Sequence, residues 1–133
     1  MRLGQDGQLY LAVGAGAAVG SLLRFAVGLG TAAAGLPGFS ATGIVNVAGS
    51  LIIGFVATIS GPEGRLLIGP VPRLFVMSGI CGGLTTFSAM SLDAFVMLAA
   101  ERPASAALYL AAVIGLSVAA AWAGHSVAAR LNR

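Results

Sequence analysis

Residues 78–88 read Ser-Gly-Ile-Cys-Gly-Gly-Leu-Thr-Thr-Phe-Ser and lie in the middle of a long apolar segment. A helix that crosses a membrane normally satisfies every backbone polar group internally, because lipid offers no hydrogen-bond partner. The glycine pair Gly82-Gly83 and the β-branched pair Thr85-Thr86 both disfavour a regular helix at this depth. An interruption here is tolerated only where the freed amides and carbonyls face protein, water or an ion. The stretch therefore predicts an ion site inside the membrane.

The composition of the chain is that of a membrane protein. Of its 133 residues, 58% are hydrophobic and 8% are charged, whereas a soluble domain carries about 25% charged residues. Four apolar segments, each near the roughly 20 residues that cross a bilayer, are separated by connections with glycine or proline. We predict an all-α, polytopic membrane protein with a single domain over residues 1–133. The predicted spans are 9–29, 42–59, 71–99 and 105–128, with the third broken near 82–86.

The first apolar segment is expected to be a retained helix rather than a cleaved signal peptide. Asp6 dilutes the positive region that precedes such a signal, and Arg24 interrupts the apolar run. The net charge of +3 is spread mainly over segment ends, a pattern that does not indicate a nucleic-acid partner.

The arginines are divided unequally between the two sides of the membrane. An even number of spans places both chain termini on one side, and that side collects Arg2, Arg65, Arg73, Arg130 and Arg133. The other side has Arg102, with Arg24 near the end of the first span. Cytoplasmic loops of membrane proteins are enriched in basic residues, so cytoplasmic termini are predicted.

Small residues recur at helical spacing in two of the spans. The fourth span has Ala107, Ala111, Gly115, Ala119 and Ala123 at every fourth position, and the first span has Gly16 and Gly20. Such residues let another helix approach nearly backbone to backbone. They suggest an oligomer but do not specify it.

Four polar or aromatic residues within the spans each allow two interpretations. Arg24 either extends to the interface or forms a positive vestibule that attracts anions. Asn46 either bonds a neighbouring helix or lines a pore with its uncharged amide. Phe87 either packs in the core or turns its electropositive ring edge toward an anion. Asp93 is either a helix-end charge in water or the partner of Arg24 across the bundle.

No group of residues suggests catalysis or a structural transition-metal site. Cys81 is the only cysteine, so an internal disulfide is impossible, and we interpret it as a small buried residue. His125 is given no role. The sequence has no activated nucleophile, carboxylate pair or cofactor loop, and an enzyme is not predicted.

Three motifs resemble those of the small bacterial fluoride channels of the CrcB/Fluc type. Residues 20–25, GSLLRF, look like the family's glycine-arginine-aromatic signature in the first helix. Residues 43–50, GIVNVAGS, look like its Gly-x-x-Asn-x-x-Gly-Ser motif in the second helix. Residues 79–88, GICGGLTTFS, are similar to its third-helix signature almost letter for letter. The resemblance covers essentially the whole chain.

This resemblance implies a dimer of antiparallel subunits with two fluoride pathways and a structural sodium ion at its centre. The backbone carbonyls of Gly82 and Thr85 from both subunits would hold the sodium ion, in keeping with the preference of hard cations for oxygen. Fluoride would leave the cytoplasm passively through the bacterial plasma membrane.

The resemblance also assigns the lining of the fluoride pathway. Asn46 and Phe87 would line it, with Thr86 and Ser88 nearby. Arg24 would stand in the aqueous vestibule. A narrow pore that replaces water with amide, hydroxyl and ring-edge donors would select fluoride.

Several positions depart from the family pattern. Met90 takes the place on the pathway where the family usually has a second phenylalanine, and Ala89 replaces a frequent threonine. Val113 stands where the family often has a serine, four residues after Tyr109. One fluoride track is therefore expected to be less polar than in the family.

Two functions other than a self-sufficient channel are alternative interpretations of the sequence. The arginine bias fits a subunit of fixed orientation, which would be a conducting or non-conducting half of a heterodimeric fluoride channel. A small multidrug exporter also has four spans, but it needs a membrane-embedded carboxylate in its first helix. No aspartate or glutamate lies between Asp6 and Glu63, so that reading is disfavoured.

Overall fold

The computed structural model describes residues 3–62 and 64–133, and every regular element in them is helical. The first helix is Leu3–Ala33, the second is Phe39–Ile59 and the fourth is Pro103–Leu131. The third span has a first half made of Pro70–Leu74, Phe75–Cys81 and Gly82–Leu84, and a second half, Phe87–Ala99. The all-α prediction is confirmed. Arg2 and Glu63, which enter the predicted charge balance, lie outside the described residues.

All four spans are long and apolar enough to cross a membrane. They cover Asp6–Ala33, Phe39–Ile59, Pro70–Ala99 and Pro103–Leu131, with mean hydropathies from 1.4 to 2.0. A 21-residue helix rises about 31 Å, which matches the thickness of the hydrocarbon core. The longer spans therefore tilt or extend into the headgroup region.

Two tight turns join the helices at one end of the bundle. Gly35 closes the first helix with a φ of +68°, a conformation that glycine adopts without steric cost. The amide of Leu36 bonds the Thr31 carbonyl across this turn at 3.0 Å. At the other turn, the amide of Arg102 bonds the Met97 carbonyl at 3.0 Å. These turns fix the antiparallel order of neighbouring spans.

The first helix packs closely against the first half of the third span through glycines. A Cβ at Gly16 would lie 2.8 Å from the Cα of Gly79, and one at Gly20 would lie 2.7 Å from the amide nitrogen of Leu84. A Cβ at Gly83 would in turn lie 2.8 Å from the Cα of Ala17. Such distances leave no room for a side chain, so the predicted role of Gly16 and Gly20 in close packing is confirmed.

The second and fourth helices form the other closely packed pair. Gly54 faces the backbone of Ala121, and Gly124 faces the backbone of Leu51 and Phe55. The predicted ridge of small residues does not make this contact, because it turns away from the second helix. Of its five members, Ala107, Ala111, Gly115 and Ala119 are exposed. Contact of the ridge with another subunit stays a prediction.

The subunit buries only a small core. Met90, Ala94, Ala106, Tyr109 and Val113 form one cluster between the second half of the third span and the fourth helix. Phe39 meets the Tyr109 ring edge-on, with centroids 5.5 Å apart. Among the described residues, Val45 is the largest side chain that is fully buried. Lipid or a second subunit must cover the many exposed apolar side chains.

Hydrogen bonds tie the end of the fourth helix to the connection between the second and third spans. The Asn132 side chain donates through Nδ2 to the Thr58 carbonyl at 3.1 Å and accepts through Oδ1 from the backbone amide of Arg65 at 2.9 Å. His125, for which no role was predicted, lies 2.8 Å from the Thr58 hydroxyl through Nδ1. These contacts hold the bundle end together.

Candidate ion pathway and helix break

The third span is interrupted at Thr85 and Thr86, within the predicted range. Both residues are extended, with φ and ψ of −78° and 156° for Thr85 and −153° and 122° for Thr86. Gly82 is still helical, with φ −65° and ψ −36°. A π-helix over Phe75–Cys81 precedes the break and widens the coil before it ends. Gly83 thus permits close packing with the first helix, whereas a Cβ at Gly82 would meet nothing within 4 Å. The two threonines form the interruption.

Asn46 of the second helix satisfies the interrupted backbone. Its Oδ1 accepts from the Thr86 amide at 2.8 Å, and its Nδ2 donates to the Thr86 carbonyl at 3.0 Å. The side-chain amide therefore offers Thr86 both an acceptor and a donor, and Asn46 is 9% exposed. The interhelical interpretation of Asn46 is what the structure shows, and one N–H of Nδ2 remains beyond this pair.

Carbonyl oxygens become available where the first half ends. The Thr86 amide, which would bond the Gly82 carbonyl in a continuous helix, donates to Asn46 instead. The amide and hydroxyl of Thr85 both donate to the Cys81 carbonyl, at 3.0 and 2.9 Å. The Gly82 carbonyl has thus lost its helical donor, and Gly82 itself is exposed. A pair of carbonyls at positions 82 and 85 suits a hard cation.

Arg24 reaches from the first helix to this break. Its Nη1 donates to the Thr85 carbonyl at 3.4 Å. The guanidinium therefore points toward the break, and its position relative to the membrane interface stays a prediction. Asp93 is not its partner, since its carboxylate accepts from the Tyr109 hydroxyl at 2.9 Å.

The second half of the third span begins with a hydroxyl cap. Thr86 Oγ1 accepts from the Ala89 amide at 3.2 Å and lies 3.2 Å from Ser88 Oγ. Because Thr86 Oγ1 accepts the amide proton, its own proton is free to be donated. Phe87 is 75% exposed and Ser88 is also exposed. Both project from the subunit instead of packing in its core.

A groove of about 410 Å³ runs beside the break and gathers most of the predicted site. Among its lining residues are the predicted residues Asn46, Gly82, Thr85, Thr86, Phe87 and Met90. Met90 is at the same time 4% exposed, because it belongs to the apolar cluster against the fourth helix. Ser88 and Arg24 do not line the groove but contact residues that do, Thr86 and Thr85 respectively.

The fourth helix adds a polar group that sequence reasoning missed. The groove is also lined by Ser117, whose Oγ is buried and, within the described part of the chain, has no hydrogen-bond partner. Val113 lines the groove one turn away. The signal was available, because Tyr109, Val113 and Ser117 are four residues apart and share a face. Only Tyr109 and Val113 of this face were identified from the sequence.

The chain is similar to known proteins over nearly its whole length. Residues 11–125 match the family described as CrcB-like protein, Camphor Resistance (CrcB). A protein of Brucella abortus named fluoride-specific ion channel FluC 3 is 49% identical over 133 residues, which cover 99% of this chain and 97% of that protein. Fluoride-specific ion channel FluC 1 of Bradyrhizobium diazoefficiens is 45% identical, over 97% of this chain and 90% of its own length. A FluC of Opitutus terrae is 43% identical, over 93% and 95% respectively.

Proposed function

Since this chain belongs to the CrcB-like protein family, we propose that it is a fluoride-selective ion channel that lowers cytoplasmic fluoride by passive export. It is a multi-pass membrane protein of the bacterial plasma membrane, and its family consists of ion channels rather than enzymes. The observation that carries the proposal is the paired hydrogen bonding of Asn46 with Thr86 beside an open groove. This arrangement keeps an interrupted helix stable at membrane depth and leaves uncharged donors beside it.

The donors along the groove suit a small anion with a strong hydration shell. Asn46 keeps one N–H, and the Thr86–Ser88 hydroxyl pair keeps one proton to donate, because the other proton lies between the two oxygens. The edge of an aromatic ring is electropositive, and the Phe87 ring is exposed next to these groups. Neutral donors replace water around the ion without the tight binding that a fixed positive charge would cause. Fluoride moves down its electrochemical gradient, so no coupled energy source is required.

A structural sodium ion fits the carbonyls of Gly82 and Thr85. Oxygen ligands from backbone carbonyls are those that hard cations prefer, and the Gly82 carbonyl has lost its helical donor to Asn46. Two carbonyls are fewer ligands than such a cation usually takes. A second copy would supply the other two and close the site. The ion would add positive charge at the centre and fix the two interrupted spans against each other.

An antiparallel dimer is the proposed assembly. The exposed ridge on the fourth helix and the exposed Phe87 give each subunit an uncovered face. Antiparallel pairing would bring the two breaks to the same depth, because each lies near the middle of its span. The charge of Arg24 would attract anions toward the vestibule that leads to the break.

Fluoride efflux from vesicles tests the proposal. Purified protein is reconstituted with internal potassium fluoride or potassium chloride, and valinomycin is added to carry the compensating charge. We expect rapid release of fluoride, measured with an ion-selective electrode, and no release of chloride. Retention of both anions by a folded, reconstituted dimer would contradict a self-sufficient channel.

The arginine bias favours a second candidate, a heterodimer with a paralogous subunit of opposite orientation. Met90 and Val113 are buried together in the apolar cluster and make part of the groove wall apolar. A partner with a more polar track would then provide the better pathway. Efflux that appears only after co-expression with such a paralogue would support this candidate over the homodimer.

A further inference from the structure

The guanidinium of Arg24 contacts the Thr85 carbonyl oxygen, which the proposed sodium ion would also bind. Arg24 Nη1 is 3.4 Å from the Thr85 carbonyl oxygen, the only hydrogen bond that the described residues give this side chain. The contact joins residues 61 positions apart, from the first helix to the break. Thr85 is also one of the two residues whose carbonyls would hold sodium, so this inference rests on the proposed function.

Two positive charges cannot share that carbonyl without cost. A carbonyl oxygen has two lone pairs, so geometry alone would permit both contacts. At an effective dielectric constant of about 20, unit charges about 5 Å apart repel strongly enough to weaken binding by roughly a hundredfold. Asp93, the carboxylate on the second half of the third span, accepts from the Tyr109 hydroxyl. The repulsion is therefore not relieved by an ion pair with Asp93.

Arg24 also supplies what the break needs before a cation arrives. An unpaired backbone carbonyl at membrane depth is costly, and the Thr85 carbonyl lies outside any regular helix. A guanidinium donor partly satisfies it within one subunit. A second copy is then not required for the break to persist during insertion.

We propose that Arg24 is a positioning residue that occupies the Thr85 carbonyl in the sodium-free subunit and competes with sodium for it. Arg24 stabilises the break when sodium is absent and opposes sodium when it is present. Sodium affinity is accordingly set by the balance between the two cations. Removal of the arginine charge shifts this balance toward sodium.

The test compares the sodium dependence of thermal unfolding among matched variants of the full chain. Arg24→Met removes the charge and the donors, Arg24→Gln removes the charge but keeps a donor, and Arg24→Lys keeps the charge. Arg130→Gln, at the exposed end of the fourth helix, controls for net charge. Each protein is titrated with sodium chloride against N-methyl-D-glucamine chloride at constant ionic strength. Binding to the folded state raises Tm, so the titration gives the sodium affinity.

We expect removal of the Arg24 charge to raise the affinity for sodium and to lower the stability in the absence of sodium. Arg24→Met and Arg24→Gln reach half of the sodium-dependent rise in Tm at a sodium concentration at least about tenfold lower than the parent chain. Without sodium, Arg24→Met has a lower Tm than the parent, and this deficit disappears as sodium saturates. Arg24→Lys and Arg130→Gln keep the half-point of the parent.

The alternatives give distinguishable outcomes. If the parent chain shows no sodium-specific rise in Tm, the proposed cation site is wrong and the role of Arg24 is overturned with it. If the parent responds to sodium but the Arg24 variants keep its half-point, the cation site stands and the competition is refuted. An equal loss of Tm at every sodium concentration would mark Arg24 as merely structural. Should Arg24→Met not fold, the comparison of Arg24→Gln with Arg24→Lys decides by the same half-points.

Discussion

Asn46 stabilises the interrupted backbone of the candidate site through two hydrogen bonds. Its side chain accepts from the Thr86 amide and donates to the Thr86 carbonyl, so both polar groups of one extended residue are satisfied at once. Only an uncharged amide offers an acceptor and a donor in this arrangement. The two interpretations open at the sequence level are compatible, because the same side chain keeps one N–H beyond the pair.

Replacement of Asn46 by aspartate separates the hydrogen bonding of the Thr86 backbone from the interaction with an anion. Asn46→Asp still accepts from the Thr86 amide but cannot donate, and its charge repels a passing anion by about 3 kcal/mol at about 5 Å and an effective dielectric constant of about 20. We expect fluoride efflux from vesicles to fall at least about tenfold. Asn132→Asp makes the same chemical change at the bundle end and should keep its efflux. Unchanged efflux in Asn46→Asp would remove Asn46 from the pathway.

Phe87 offers a second test, because its exposure makes a stability effect small. Phe87→Ile keeps an apolar side chain but removes the ring edge. Efflux is expected to drop by up to about tenfold, since an edge contact is worth about 0.5–1.5 kcal/mol. Phe95→Ile, on the same helix and 64% exposed, is the control and should conduct normally. Equal efflux from both variants would argue that the ring does not meet the ion.

At the scale of elements, the interrupted third span depends on the first helix. Glycines on both sides bring the two backbones together, and the first half of the span adopts a π-helix where this contact is closest. The second half packs instead on the fourth helix through the apolar cluster. The two halves therefore have separate packing partners, and the extended residues Thr85 and Thr86 join them.

A methyl group at Gly20 should disturb this arrangement. Its Cβ would lie 2.7 Å from the Leu84 amide nitrogen and would overlap the Ile80 carbonyl oxygen, so the helices must separate. We expect Gly20→Ala to lower the free energy of unfolding by about 1–3 kcal/mol, the usual cost of overpacking. Thermal unfolding in detergent measures it. In Gly28→Ala the new Cβ would meet nothing within 4 Å, and stability should be kept or slightly raised. Equal stability of the two variants would contradict the close approach.

For the molecule as a whole, the four spans bury little of their apolar surface against one another. Between 11% and 28% of each span is buried inside the subunit. The remaining apolar surface must face lipid or a second copy. We expect the charge distribution to set the orientation of the chain in the membrane, because Arg65, Arg73 and Arg130 share one end of the bundle.

Orientation can be measured with reporters fused to the C-terminus. Green fluorescent protein folds in the cytoplasm, whereas alkaline phosphatase becomes active outside it. We expect fluorescence and little phosphatase activity, because basic residues favour the cytoplasmic side. The triple variant R65Q, R73Q and R130Q should gain phosphatase activity. Strong activity of both reporters on the unaltered chain would indicate dual orientation and would favour the homodimer.

The amino-acid sequence was sufficient to predict the helical class, the number of spans and the place of the interruption. The length of an apolar segment depends on neighbouring residues alone, and so do the backbone preferences of glycine and threonine at residues 82–86. Asn46 could be proposed from its motif, but its pairing with Thr86 required the second and third spans to be placed together. Tertiary structure also set the direction of Arg24 and the bond between Asp93 and Tyr109. It likewise buried the Ser117 hydroxyl, which has no hydrogen-bond partner among the described residues. These contacts join residues distant in sequence, and only helix packing sets which polar groups meet.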